Sequence, residues 1–411
     1  MRNIVQFNVL NNDFQNDPYP TYSMLHSTNS ILMDSHLNAH FFGHYDDVAH
    51  ILRSPAFTTA PLADRAQPVM GDRVLAQMEG AEHYVKRRTV LGALTGKRFR
   101  EHYAQMIEQV VEELLSQTSH TGRIDLINEF GKDYSILVTL KILGLPTDRH
   151  KDIAAWHQGV ASFITNLAMT QEQRNSSLRC SKEIIDYLTP LIEGEQHDDD
   201  SFITMLCNSE HNGQPMKTSE VVALILNVIL AASEPADKTL GYLFNHLLGC
   251  PGRYDTVKED RRLLVPAIRE TLRLTPPVQL IPRQTDTQVQ VGGVDLPKGS
   301  LVFCMIGAAN RDPAIYDQPS SFVIDRKQAI QGCPEHAKAA SHLAFGAGKH
   351  VCVGAAFSLL QIELTANLLM DRLQNPGFAP GFSFQEEGLY TRGPASLTLE
   401  FLPYDSTVVS A

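Results

Sequence analysis

The chain has no glycine/serine tract, low-complexity run, internal repeat or block of like charge that would mark a linker between domains. It lacks any C-x-x-C pair. The six cysteines, Cys180, Cys207, Cys250, Cys304, Cys333 and Cys352, are scattered, which argues against a disulfide framework and fits a reducing cytosol. The first residues, MRNIVQFN, contain no apolar run long enough for a signal peptide or an anchor, so a soluble, cytoplasmic protein with no membrane attachment is expected. Basic residues are in deficit, 35 Lys and Arg against 46 Asp and Glu for a net charge of −11, which excludes wholesale nucleic-acid binding. What remains is ordinary for a globular enzyme. At 43% hydrophobic and 20% charged over 411 residues, one large domain spanning 1–411 with a substantial core is expected.

Helical periodicity dominates. It predicts helices over residues 45–52, 107–115, 125–143, 151–166 and 177–192, whereas residues 58–78, with Pro61, Pro68 and Gly71, read as irregular. Residues 31–33 and 40–42 read as a small hairpin. Residues 289–296 and 302–305 read as strands around a turn at Pro297-Lys-Gly299. The longest helical run, Thr218–Leu248, would extend about 45 Å. Thr218 or Ser219 is its expected cap, and its first half is apolar on all sides except at Asn227, so it belongs in the core. The fold class is mainly α with a minor β region.

Three motifs carry chemistry. Residues 342–354 read HLAFGAGKHVCVG, one cysteine in a glycine-punctuated loop just before an apolar helical pattern. Glycine permits close backbone approach to a flat ligand, and a helix mouth favours thiolate over thiol. A thiolate on a stiff loop is an axial ligand for haem iron, which makes Cys352 the candidate metal ligand; the plain alternative is a buried structural cysteine. His83 and Arg87, four apart, share a helix face suited to a carboxylate, or to solvent. Around them Lys86, Arg87, Arg88, Lys97, Arg98 and Arg100 form a basic run with no acid between residues 83 and 100. Glu270 and Arg273, at i and i+3, can pair, as any surface E-x-x-R can.

Phe345-x-x-Gly348-x-x-x-Cys352-x-Gly354, preceded in order by the H-x-x-x-R, an acid in the long helix and the E-x-x-R, resembles the cytochrome P450 family over nearly the whole chain. The resemblance implies a long central helix over a b-type haem, with the Cys352 thiolate on iron and Phe345 and Gly354 shaping the loop. It implies molecular oxygen and external electrons as co-reactants, delivered by a ferredoxin or flavodoxin with its NAD(P)H reductase, for which the basic run is a docking patch. His83, Arg87, Arg283 and His350 are implied propionate anchors, and Glu270 with Arg273 a buried structural pair. Ala231-Ala-Ser-Glu234-Pro235 matches the family's oxygen-activating turn, with one departure: proline stands where threonine is usual. Proline has neither hydroxyl nor N–H and frees the Ala231 carbonyl, so the groove is kept and the usual proton relay is not. Glu234 keeps the acid.

Within the family, the segments 224–228, 232–240, 276–284, 302–313 and 388–394 are similar to bacterial cyclodipeptide oxidases, which share the Glu-Pro pair. This implies a small-molecule cyclic dipeptide, cyclo(L-leucyl-L-leucyl), whose diketopiperazine ring is aromatised and N-oxidised over repeated turnovers. Candidate substrate contacts are Val69, Met70, Asn227, Ala232, Val278, Leu280, Tyr390 and Arg392. Rival readings are a hydroxylase of another small apolar substrate, a peroxide-driven variant, and a haem sensor or carrier without turnover.

Overall fold

The computed structural model describes residues 2–94, 97–194, 202–211, 214–326 and 342–403. Helices form most of it. The central helix runs Thr218–Leu248 and is buried along most of its length, packing on Lys132–Leu143, Gln171–Glu193, Leu264–Leu274 and Ala355–Arg372. By length and composition it could cross a membrane, but those neighbours make it a core helix. Its expected caps are not used. Lys217 stands at the N-cap, its N–H donating to Glu220 at 3.0 Å, while Ser219 Oγ donates to Asp72 at 2.8 Å.

A six-stranded sheet lies to one side, in the order Asn3–Phe7, Ser30–Asp34, Ala39–Phe42, Leu301–Met305, Leu280–Thr285, Phe57–Thr58. Ser30–Asp34 and Ala39–Phe42 form the expected hairpin. The other expected hairpin is corrected. Val289–Val291 pairs with Val294–Leu296 through Gly292 and Gly293, both at positive φ, and Leu301–Met305 pairs with Leu280–Thr285 and Ala39–Phe42 instead. Two further differences concern helices. Residues 60–70 form a helix because Pro61 sits in its first turn, where no N–H is needed, and Pro68 in its last, before Gly71 ends it. Residues 125–143 are not one helix. Asp125 ends a short strand and caps a π-helical stretch, Leu126–Gly131, ahead of Lys132–Leu143. That stretch crosses the central helix so closely that a Cβ on Gly241 would lie 2.4 Å from Ile127 Cδ1.

Two buried ion clusters tie the helices together. Lys86 is 3% exposed and pairs with Glu220 at 2.6 Å and Glu82 at 3.2 Å, joining Gly80–Ala93 to the central helix. It is therefore spent in the interior, not part of a basic surface. The side chains of Lys97, Arg98 and Arg100 lie outside the described residues.

Glu270, 4% exposed, accepts from Arg273 Nε and Nη2 at 2.8 Å each, from Arg326 Nη2 at 2.9 Å and from the Val323 N–H at 3.0 Å. Burial pushes its pKa up, but the hydrogen bonds from the two arginines outweigh this and hold it below 4.5. An acid lowered by folding stabilises the protein above its unfolded pKa and stops doing so as pH falls through the folded value. Glu270→Ala should therefore cost about 3–5 kcal/mol in urea unfolding at neutral pH, because it leaves the buried Arg273 without its counter-ion. The gap between Glu270→Gln and the parent should shrink as pH falls below about 4.5. Equal stability of parent and variant at neutral pH would mean that the cluster braces nothing.

Candidate active site

The cysteine loop is set by its backbone. The Cys352 N–H donates to the Phe345 carbonyl and the Gly346 N–H to Leu343, both at 2.8 Å. Gly346 and Gly348 take φ of +71° and +73°, and a Cβ on Gly348 would fall 2.6 Å from the Leu52 carbonyl, so the loop lies flat on the end of helix Tyr45–Arg53. Helix Ala355–Arg372 begins directly after it with Gly354 at the N-cap. Phe345 is half-buried and packs at 5.8 Å from the His342 ring.

Cys352 is the one exposed cysteine among the described residues. The protein around it still desolvates the thiol and raises its pKa, and the Gly354 N–H and Arg87 only partly oppose this. The helix mouth alone therefore does not produce a thiolate here; a soft cation at Sγ would.

Beside the loop lies a set of groups short of anions. Arg283 is 5% exposed, donates to the neighbouring Pro282 carbonyl at 2.8 Å, and has no carboxylate partner among the described residues. Burial lowers its pKa. Arg87 is half-buried and has no ion pair among the described residues. His83 is buried, 4.6 Å ring to ring from His350. Burial pushes His350 down to about 4. A buried guanidinium without a counter-ion is costly, so the geometry calls for a ligand bearing acid groups next to a soft metal. Haem b, with iron at Cys352 and propionates at Arg283, Arg87 and His83, fits that demand. His350 is a weaker anchor than expected. Its Nε2 lies 3.2 Å from Glu79, leaving one ring nitrogen. Glu79 also binds Lys349. Burial raises its pKa, but bonds from Lys349 and His350 more than offset that. Sequence reasoning missed Glu79, because nothing local marks it.

On the central helix Asn227, Ala231 and Pro235 form one stripe, four residues apart, that is at least partly exposed while residues 221–226 are buried. The Asn227 amide has no hydrogen-bond partner among the described residues, and the Ala231 carbonyl has no i+4 donor because Pro235 supplies none. Ala232 is half-buried beside the stripe. Glu234 pairs with Lys238 and accepts from Thr391 Oγ1 at 3.0 Å. Burial raises its pKa, but Lys238 outweighs this and keeps it ionised. Three residues on, Asp237 is pushed up to about 7 by burial, an acid that sequence reasoning did not single out.

Several expected substrate contacts are corrected. Val69 and Met70, 0% and 1% exposed, are core residues of helix Ala60–Met70, and Val69's carbonyl holds Ser181 Oγ at 2.8 Å. Leu280, 1% exposed, packs with Phe41 and Phe303 on the far face of its strand, which leaves Ile281 and Arg283 on the loop's side. Arg392 is fully committed, to Glu386 at 3.1 Å and the carbonyls of Gln15, Asn16 and Gly388. Val278 and Tyr390 remain partly exposed, and Val278 is bridged to Thr391.

A cysteine presented on a glycine-shaped loop, next to cations that lack acids and below a long helix with an interrupted hydrogen-bond ladder, defines a haem-thiolate oxygenase. The chain matches the Cytochrome P450 family over residues 7–375, and it belongs to that family. It is 44% identical to the pulcherriminic acid synthase of Bacillus subtilis (strain 168) over 407 residues, covering 97% of this chain and 99% of that protein. It is 30% identical over 307 residues to cytochrome P450 107B1 of Saccharopolyspora erythraea, covering 74% of this chain and 71% of that one. The crystal structure of CalO2 shares the fold, with a TM-score of 0.84 at 24% identity over 97% of this chain and 99% of that one. The protein is thus a cytochrome P450 monooxygenase that uses haem, molecular oxygen and electrons from a redox partner.

If Arg283 holds a propionate, Arg283→Ala should release haem to apomyoglobin about tenfold faster, with unchanged helix content by circular dichroism. An unaltered transfer rate would remove Arg283 from the anchors.

Proposed function

We propose that this enzyme oxidises a diketopiperazine, cyclo(L-leucyl-L-leucyl), to pulcherriminic acid by repeated oxidation, aromatising the ring and oxygenating both nitrogens. It would work as one domain in the cytoplasm, fed by a ferredoxin or flavodoxin with its NAD(P)H reductase. The observation that carries the reading is the 44% identity to a pulcherriminic acid synthase along nearly the full length of both chains. The geometry supports it. A stripe that is apolar except for the Asn227 amide and the Ala231 carbonyl suits a ligand with apolar side chains and a polar ring.

Haem supplies the oxygen-inserting chemistry when bound. The chain's own residues bind and orient. Val278, Ala232 and Tyr390 would contact the isobutyl groups, and Asn227 would orient the ring amides. Glu234, ionised and fixed by Lys238 and Thr391, accepts hydrogen bonds rather than donating them. Water held at the Ala231 carbonyl, or the substrate's own N–H groups, would take the place of the missing alcohol. The second reading is oxidation of another cyclic dipeptide or small apolar molecule on the same stripe.

The first test is the Soret band of the ferric enzyme titrated with cyclo(L-leucyl-L-leucyl). A saturable low- to high-spin shift and pulcherriminic acid as product are expected. No shift, alongside a normal thiolate spectrum of the reduced carbon monoxide complex, would keep the family and reject this substrate. Pro235→Thr should not raise turnover, because the hydroxyl it adds is already replaced. Faster turnover with unchanged coupling would reject that replacement.

A further inference from the structure

An open cavity of about 990 Å³ lies between the N-terminal segment, the C-terminal half of the central helix and the segment 311–322. None of its lining residues is among those assigned to haem. Arg253 and Arg311 stand in its wall, and both are held rigidly. The Arg311 guanidinium stacks 4.1 Å over the Tyr19 ring and its Nε donates to the Leu274 carbonyl at 3.2 Å. Arg253 stacks 5.1 Å over Phe322 and its Nη1 donates to the His246 carbonyl at 2.6 Å. Neither has a carboxylate partner among the described residues. Both Nη groups of Arg311, and Nε and Nη2 of Arg253, have no acceptor there.

The acids nearby do not fill that role. Glu386 already accepts from Tyr19 Oη at 2.8 and 2.9 Å and from Arg392 Nε at 3.1 Å, and Asp17 caps the Tyr19 N–H at 3.2 Å. The lining thus sets two acids beside its two arginines, but the Glu386 oxygens are already taken by Tyr19 and Arg392. His246 is pushed down to about 3, first by burial and then by Arg311 and Arg253. Its Nε2 is occupied by Thr275 Oγ1 at 3.1 Å, so the imidazole stays neutral and does not compete for an anion. Arg311 is itself so enclosed that desolvation lowers its pKa. Planar guanidinium forks fixed by stacking lose little entropy on binding an oxyanion, and the charge-assisted bonds they form are strong.

We propose that this cavity is a second small-molecule site, in which Arg311 and Arg253 grip the carboxylate or phosphate of a small organic anion beside Tyr19 and Phe322. The cavity is much larger than the anionic group alone, so the ligand carries further atoms along the aromatic wall. The site is independent of the substrate proposed above.

The test uses the haem-loaded enzyme and two probes, inorganic phosphate and acetate, by calorimetry at constant ionic strength with chloride as the control. Saturable binding of at least one probe is expected, weakened about tenfold in Arg253→Gln and again in Arg311→Gln, with the reduced carbon monoxide spectrum unchanged. Tighter phosphate would assign phosphate esters as the ligand class, and tighter acetate carboxylic acids. Glutamine at 311 can still donate to the Leu274 carbonyl; if that variant nonetheless loses the spectrum, Arg253→Gln alone decides. Absence of saturable binding by both probes, or equal binding by parent and Arg253→Gln, would overturn the proposal.

Discussion

One buried carboxylate, Glu270, holds the proximal side of this protein in register. Burying a charge there is favourable only because every lone pair is used, by Arg273, Arg326 and the Val323 N–H. Arg273 then spends its remaining donors on the carbonyls of Asn310, Pro319 and Ser321, at 2.8, 2.7 and 3.0 Å. Asn310 passes the constraint on, because its side chain accepts the Leu343 N–H at 2.7 Å. Leu343 in turn accepts Gly346, and Phe345 accepts Cys352. A chain of hydrogen bonds thus runs from the ion cluster to the metal ligand, although the Asn310 Nδ2 along it has no partner among the described residues. The loop's rigidity is a consequence of that cluster as much as of its glycines.

The central helix imposes the second constraint. Glu234 and Lys238 pair across one turn, and Thr391 joins them from the segment that carries Tyr390. That segment is itself fixed to the sheet, since the Gln279 N–H donates to the Tyr390 carbonyl at 2.9 Å and Thr391 bridges to Val278. The helix stripe and the strand beside Arg283 are therefore coupled through a single short turn. A shift in one wall would be felt in the other.

The parts of this arrangement that were legible in the sequence are those whose partners lie close along the chain or whose residue types are rare. Cys352 among glycines, the i, i+3 pair Glu270 and Arg273, and the proline inside a long apolar helix are of this kind. What was illegible depends on distant chain segments or on strand parity. Lys86 looks like surface charge until Glu220, 134 residues away, neutralises it. Leu280 and Ile281 are equally apolar, and only the register against Leu301–Met305 assigns one to the core and the other to the loop. Arg392 resembles a free donor because two of its four acceptors are carbonyls more than 370 residues earlier. Val69 and Met70 are pocket-wall candidates by the family resemblance alone, and only the packing of helix Ala60–Met70 puts both in the core.

The missing threonine is then a question about donors. An ionised carboxylate only accepts hydrogen bonds. Glu234 is ionised and already holds Lys238 and Thr391, so it cannot supply the donated bond that a hydroxyl would. Asp237, pushed up to about 7, is only partly protonated at neutral pH, and it is buried off the stripe against Gly131, with one oxygen on the Lys238 N–H. Along the stripe itself the donors are the Asn227 amide, any water held by the Ala231 carbonyl, which lacks its i+4 donor, and whatever the bound ligand brings. A hydrocarbon brings none. A cyclic dipeptide brings two N–H groups on a rigid ring, and that is the kind of ligand for which a helix could dispense with its alcohol.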